Sequence, residues 1–171
     1  MNDAYVQVGR HMSTTRSMPG GWAEKEDLLK GPNGRHLCRW CSLEVPQGRR
    51  TFCSDWCVEE WKLRSDPGHL RERTFERDKG VCALCGVDCV AEFNHLRRLR
   101  GAAKLRKFAE YGIRPGSRRS LWDADHIVPV VEGGGECDLT NIRTLCLKCH
   151  RKQTAELRAR RVSPAVSDPE L

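Results

Sequence analysis

The sequence predicts a small α+β protein that is stabilised by bound metal more than by a large apolar core. The chain has 171 residues, 31% of them charged, with only five Trp, two Tyr and four Phe. Its ten cysteines offer the metal ligands that small domains with little core often need. The third observation is a pattern typical of a β-hairpin followed by a helix, within residues 122–161.

Four regions are expected along the chain. Residues 1–35 mix Gly, Ser, Thr, Met and Pro with little periodicity and predict a flexible leader. Residues 36–66 carry a four-cysteine zinc module, and residues 67–161 form the second domain. Residues 162–171 are predicted to be a disordered tail. No flexible linker separates the two domains, so we expect the zinc module to pack on the second domain.

The first element is a treble-clef-like zinc module. Cysteines spaced two or three residues apart let one turn present two thiolates to one tetrahedral ion. The predicted ligands of this structural zinc are Cys38, Cys41, Cys53 and Cys57. A helix from Ser54 to Arg64, with Ser54 as its N-cap, should carry the last ligand.

The second domain should be closed by another four-thiolate zinc site. A charged helix over residues 69–79 ends at Gly80 and leads to a cysteine pair, whose complement lies about sixty residues on. The ligands predicted for this structural zinc are Cys82, Cys85, Cys146 and Cys149. The helical insert at about 93–119 is expected to contain a basic helix over residues 93–111, interrupted or bent near Gly101, and then a turn region over residues 114–119. Cys89 and Cys137 are left over as free thiols, although Cys89 could compete as a ligand.

The hairpin and its helix carry an Asp-His pair and a second histidine. A strand is expected from Trp122 to about Pro129, a single helical turn at 138–141, a short returning strand, and a helix from Cys146 to about Arg161. His150 follows the last cysteine and could replace Cys149 as a zinc ligand. We expect Asp123 to lie on the opposite face of the strand from Asp125, as a solvated or capping carboxylate.

Several spacings together resemble one family. The segments D-H-I-x-P, G-G-G and L-x-N-I-x-T-L-C-x-x-C-H-x-x-x-T are similar to the HNH (ββα-metal) endonucleases, in their four-cysteine zinc variant. The longer order F-C-S-x-x-C, G-V-C and W-x-x-D-H-I-x-P-V resembles the C-terminal nuclease segment of the zinc-finger Ran-binding-domain annealing helicases. Their motor is not expected here, because no G-x-x-x-x-G-K-S/T motif is present.

The resemblance implies a metal-dependent endonuclease that hydrolyses DNA with one catalytic cation, leaving a 5′-phosphate and a 3′-hydroxyl. By the same resemblance His126 is the general base, and Asp125 and His150 are the ligands of the catalytic cation. Asn141 either completes the shell of that cation or fixes the loop that orients His126. Mg²⁺ or Mn²⁺ is the expected catalytic ion, with Ni²⁺ or Zn²⁺ possible, since a carboxylate and an imidazole suit all four.

The charge distribution favours a polyanionic partner. The net charge is +7, and two basic runs flank residues 121–141, which hold five acids and no Lys or Arg. We expect DNA, duplex or branched, to be held by basic side chains of these runs: Arg97, Arg98, Arg100, Lys104, Arg143, Lys148, Arg151 and Lys152. RNA stays an alternative substrate, since no base-recognition code is evident.

Membrane and secreted classes are not expected. The sequence has no signal-peptide pattern and no apolar run of 18 residues, so we expect a cytoplasmic, DNA-associated protein without a membrane partner or a nucleotide cofactor. The competing function is a non-catalytic zinc-dependent nucleic-acid-binding module, which the cysteine pairs and the charge suit equally well.

Overall fold

The computed structural model describes residues 25–135 and 138–162. The expectations for residues 1–24, for Cys137 and for residues 163–171 lie outside this part of the chain. The helices are α1 (Asp55–Ser65), α2 (Pro67–Asp78), α3 (Cys89–Arg98), α4 (Gly101–Glu110) and α5 (Leu147–Val162). The strands are β1 (Trp122–His126) and β2 (Ile142–Cys146), and short 3₁₀ turns occupy Lys25–Asp27, Val130–Glu132 and Leu139–Asn141. The small α+β fold is as predicted.

The described residues divide into two compact units. The first unit joins residues 25–67 to the described part of residues 128–141, and the second joins residues 68–127 to residues 142–162. No helix in either unit is long and apolar enough to cross a membrane, among the residues that the structure describes.

The first unit is organised around four cysteines and one helix. Its core consists of Cys38, Trp40, Val45 and Cys57, all buried. The helix α1 begins where predicted, because the Ser54 hydroxyl accepts a hydrogen bond from the backbone N–H of Cys57 at 3.2 Å and caps the first turn.

The second unit is built on a two-stranded antiparallel sheet. In its register Trp122 lies opposite Cys146, Asp125 opposite Arg143 and His126 opposite Ile142. The strand β1 is shorter than predicted and ends at His126. Pro129 has no N–H to donate to a ladder, and the chain then enters the 3₁₀ turn Val130–Glu132.

Three hydrogen bonds attach the end of α2 and the Cys82–Cys85 turn to β2. Arg77 Nη2 donates to the Ile142 carbonyl at 2.6 Å, and Asp78 Oδ2 accepts from the Thr144 N–H at 3.1 Å. The N–H of Ala83 donates to the Thr144 carbonyl at 2.8 Å. These contacts hold the Cys82–Cys85 turn beside the strand that ends at Cys146.

The basic insert is interrupted just before Gly101, as predicted, and so forms two helices. It differs from the prediction in its start, because the first helix begins at Cys89, four residues before the predicted start. The Asp88 carboxylate caps α3 by accepting from the N–H groups of Val90 and Ala91 at 2.9 Å each. Leu96 of α3 and Phe108 of α4 are buried in one core with Leu121, Trp122 and Leu145.

Candidate metal and active site

The second unit brings together the four thiols predicted to bind its zinc. The sulfurs of Cys82, Cys85, Cys146 and Cys149 all lie within 4.8 Å of one another. The sulfurs of Cys85 and Cys146 are 3.8 Å apart, which is about the separation of two thiolates on one tetrahedral Zn²⁺. Cys149 belongs to this group and His150 does not, so the alternative in which His150 replaces Cys149 is not supported.

The first unit contains an equivalent group. The sulfurs of Cys38, Cys41, Cys53 and Cys57 also lie within 4.8 Å of one another. The Cys53 sulfur is 3.4 Å from that of Cys41 and 3.3 Å from that of Cys57. Both groups could therefore hold a tetrahedral ion.

Each four-thiol group contains one cysteine with a lowered pKa. Burial acts to raise the pKa of Cys82, but backbone hydrogen bonds from Cys146, Cys85 and Leu84 outweigh it and lower the pKa to about 6. In the first unit, burial is likewise outweighed by backbone hydrogen bonds, and the pKa of Cys38 falls to about 7. Burial raises the pKa of Cys57 and Cys149 instead. Metal binding should thus release protons from the thiols that are still protonated.

Cys89 lies outside both groups of ligands. It is buried, and its sulfur contacts the Val87 carbonyl at 3.7 Å. Burial, followed by the nearby thiols of the second group, raises its pKa to about 12. Cys89 is a buried thiol, as expected.

His150 lies between two carboxylates of β1. Its Nε2 is 3.5 Å from Asp125 Oδ1, and its Nδ1 is 3.4 Å from Asp123 Oδ2. The three side chains are partly buried, with exposed fractions of 36% for His150, 17% for Asp125 and 21% for Asp123. The sheet supplies both carboxylates, and the first turn of α5 supplies the histidine.

The prediction for Asp123 was wrong. Residues two apart in a strand point to the same face. The side chains of Asp123 and Asp125 therefore both face His150, and Asp123 is not on the opposite face. Arg118 donates to Asp123 Oδ1, and Arg71 Nη1 lies 3.6 Å from the same oxygen. The alternation of side chains along the predicted strand was the signal that could have identified this residue.

Arg143 orients Asp125. Its Nη2 donates to Asp125 Oδ2 at 3.2 Å and to Gln153 Oε1 at 3.1 Å, and its side chain is 18% exposed. The contact occupies one carboxylate oxygen of Asp125 and leaves Oδ1 facing His150. The structure thus places Arg143 within the group of residues around Asp125.

Asn141 makes hydrogen bonds within its own loop. Its Oδ1 accepts from the Val128 N–H at 2.8 Å, and its Nδ2 donates to the carbonyls of Gly134 at 2.8 Å and Val128 at 3.1 Å. The two bonds to Val128 join the two ends of the segment that follows His126, and the third attaches Asn141 to the middle of that segment. His126 itself is partly buried at the end of β1, opposite Ile142.

The other predicted DNA-binding side chains belong to the helices of the second unit or, for Arg100, directly precede one. Lys148 lies over the Tyr111 ring at 4.4 Å and 3.4 Å from Glu110, and Arg151 donates to the Glu110 carbonyl at 3.4 Å. Arg97, Arg98 and Arg100 are exposed, Lys104 is partly exposed, and Lys152 is exposed near Glu156.

Comparisons with known proteins identify relatives of the region that contains the hairpin and the start of α5. Residues 113–156 match the family model described as HNH endonuclease. The DNA annealing helicase and endonuclease ZRANB3 of Mus musculus is 37% identical over 145 residues, which cover 72% of this chain and 14% of that protein. The Homo sapiens protein of the same name is 36% identical over 146 residues, covering 71% and 13% respectively.

One solved structure is also similar. The crystal structure of the human ZRANB3 HNH domain aligns with a TM-score of 0.42 and 30% identity, covering 57% of this chain and 97% of that one. The chain spans about one seventh of the length of the curated relatives that it matches. The matched residues 113–156 include both strands, the loop between them and the first turns of α5, and this segment of the chain belongs to the HNH endonuclease family.

Proposed function

We propose that this protein is a DNA endonuclease that hydrolyses phosphodiester bonds with one divalent cation and a histidine general base. The observation that carries the proposal is the position of the His150 ring, with Asp125 at one nitrogen and Asp123 at the other. DNA is the proposed substrate because the chain has a net charge of +7 and its relatives are described as DNA annealing helicases and endonucleases.

Asp125 Oδ1 and His150 Nε2 would hold the catalytic cation. Two ligand atoms that each lie roughly 2.0–2.2 Å from one ion can be up to about 4 Å apart, so a separation of 3.5 Å suits a shared ion. A carboxylate and an imidazole with open positions accept Mg²⁺ or Mn²⁺, and Ni²⁺ or Zn²⁺ as well. When bound, the cation offsets negative charge on the phosphate and on the leaving oxygen.

Asp123 would fix the orientation of His150. A metal-bound histidine commonly donates its second ring N–H to a carboxylate, which sets the tautomer and strengthens the ligand. Asp123 Oδ2 lies 3.4 Å from Nδ1, the nitrogen that faces away from Asp125. Asp123 is therefore a positioning residue, and Arg143 performs the corresponding task for Asp125.

His126 would take the proton of the attacking water. A neutral imidazole accepts a proton efficiently near pH 7, since its ordinary pKa is about 6.5. Asn141 would contribute by holding the loop that begins directly after β1. The four thiols of the second unit would bind Zn²⁺ and keep the end of β2 and the first turn of α5 in place, and those of the first unit would bind a Zn²⁺ of their own.

The test is cleavage of supercoiled plasmid by the full chain with Mg²⁺ or Mn²⁺. We expect His126→Ala to lose at least about 100-fold in rate, as removal of a general base commonly does, while its zinc content and DNA affinity stay unchanged. Wild-type cleavage by this variant would overturn the mechanism.

The second candidate function is a zinc-dependent DNA-binding module without catalysis. It is favoured by the two four-thiol groups, which alone would stabilise such a module. Salt-sensitive DNA binding with no cleavage under any of the four divalent ions would support it against the nuclease. The arrangement of Asp123, Asp125 and His150 favours the nuclease, because binding alone does not need these three side chains together.

A further inference from the structure

Two adjoining cavities in the second unit lie beside the proposed active site. The first has a volume of about 360 Å³ and the second about 610 Å³. Their walls share Phe93, Arg97 and Arg119, so the cavities form one continuous groove along α3. We call this the α3 groove.

The smaller cavity has an aromatic wall. Phe75, Phe93 and Trp122 line it, and the Phe75 ring stacks on Trp122 with centroids 5.9 Å apart and an angle of 16° between the rings. Phe75 is 38% exposed even though it is a large apolar residue. A partly exposed ring in a cavity of this size offers a flat face to another flat, apolar group.

The groove is positively charged. Arg71 lines the smaller cavity, Lys104 and Arg118 line the larger one, and Arg97 and Arg119 line both. No Asp or Glu is among the described residues of either wall. Arg97 also lies over the Phe93 ring, with its guanidinium 5.9 Å from the ring centre, so positive charge and aromatic surface adjoin.

The groove is connected to the proposed cation site through Asp123. Arg118, from the wall of the larger cavity, donates to Asp123 Oδ1. Arg71, from the wall of the smaller one, lies over the Trp122 ring at 3.6 Å and 3.6 Å from the same carboxylate oxygen. Asp123 Oδ2 in turn faces His150. A ligand in the groove would thus be only a few side chains from the cation.

We propose that the α3 groove is a subsite for an unpaired nucleotide, with its base in the aromatic cavity and its flanking phosphates on Arg97 and Arg119. Aromatic faces bind any base by stacking, while arginines bind the backbone without regard to sequence. In a duplex the base faces are covered by their neighbours, so an aromatic cavity is useful only for a base that has left the stack. The subsite presupposes the DNA substrate proposed above and narrows it to DNA with an unpaired segment next to the cut.

The first test compares binding of a single-stranded oligonucleotide and a duplex of equal length, without added Mg²⁺ or Mn²⁺. Phe75→Leu keeps the apolar volume but removes the ring. We expect it to weaken single-strand binding about 5- to 100-fold and duplex binding less than about 2-fold. Phe75→Tyr, which retains a ring, should restore single-strand binding. Equal losses for both DNAs, or no loss for either, would overturn the subsite.

The second test concerns the arginines. The affinity for single-stranded DNA falls as salt rises, so log affinity against log salt has a negative slope. The double variant Arg97→Ala with Arg119→Ala should make this slope shallower by about 1.4, since each lost phosphate contact removes about 0.7. The matched control is Arg106→Ala, an exposed arginine of α4 outside both cavity walls, which should leave the slope unchanged. An unchanged slope in the double variant would contradict the assignment of phosphates to these two residues.

A third measurement does not depend on substitutions. Single-stranded DNA that contains 5-iodouracil should cross-link, on irradiation, to a peptide that contains Phe75 or Phe93. Cross-links confined to other peptides would overturn the subsite. Because none of these readouts needs cleavage, an inactive wild-type protein that shows the expected binding would refute the nuclease and leave the subsite standing.

Discussion

At the scale of single residues, one histidine ring separates two carboxylates that lie two positions apart on the same strand. Arg143 engages Asp125, while Arg71 and Arg118 surround Asp123. The two acids therefore have different surroundings, although both face His150. This difference favours a division of roles, in which Asp125 is a ligand and Asp123 a positioning group.

The division predicts the behaviour of Asp123→Ala. We expect its cleavage rate to fall about 10- to 100-fold, because His150 loses the partner that fixes its ring. The Mn²⁺ concentration for half-maximal activity should rise, and excess Mn²⁺ should restore part of the rate. Asp123→Asn, which keeps an oxygen acceptor, should lie between Asp123→Ala and the wild type.

The control for charge is Asp55→Ala, which removes an exposed carboxylate of the first unit. It should leave both the rate and the metal dependence unchanged. If Asp123→Ala lost activity without any change in its Mn²⁺ dependence, Asp123 would have a merely structural role.

At the scale of secondary-structure elements, patterns within the sequence predicted the hairpin, the start of α1 and the pairing of the cysteine turns. The start of α3 was missed even though Asp88 precedes an apolar stretch, as N-caps do. The contacts of Arg143 and Arg118 could not have been predicted, because they depend on how α5 and the segment before β1 meet the sheet. Local sequence signals were therefore enough to predict the helices and strands, whereas the partners of the charged residues depend on tertiary packing.

Asp78, together with Arg77, attaches the end of α2 to β2. Its carboxylate accepts the N–H of Thr144, a residue that is fully buried. The hydrogen bond with Arg77 is the main cause of a lowered pKa at Asp78, with the bond to Thr144 contributing further. Asp78→Ala would leave that N–H without an acceptor and should lower the free energy of unfolding by about 1–3 kcal/mol, measured by urea denaturation at pH 7 with zinc present.

The conservative variant Asp78→Asn retains the acceptor and should lose less than about 1 kcal/mol. Equal losses for both variants would show that the charge, and not the bond to Thr144, is what stabilises the attachment of α2.

At the scale of the whole molecule, each of the two units contains one group of four thiols. The buried apolar residues described in the first unit are few, namely Trp40, Val45, Trp61 and Leu63 beside the cysteines Cys38 and Cys57. Such a small core cannot offset the conformational entropy lost on folding, so the bound metal should supply much of the stability. The second unit has a larger core, which includes Leu96, Phe108 and Leu145.

This arrangement predicts two zinc ions per chain, measured by inductively coupled plasma mass spectrometry. Cys41→Ser and Cys85→Ser should each reduce the content to about one, and the double variant should contain none. Cys89→Ala is the matched control and should retain two, because Cys89 is outside both groups. A loss of zinc from Cys89→Ala would contradict the assignment of the ligands.

The adjacency of Cys149 and His150 also has a consequence for biosynthesis. Cys85 and Cys146 lie 61 residues apart in the chain, so the second thiol group closes only after the whole insert has left the ribosome. The histidine proposed to bind the catalytic cation is translated directly after the last thiol. The nascent chain would thus receive its last zinc ligand and the proposed ligand of the catalytic cation in succession, only after the whole insert has been synthesised.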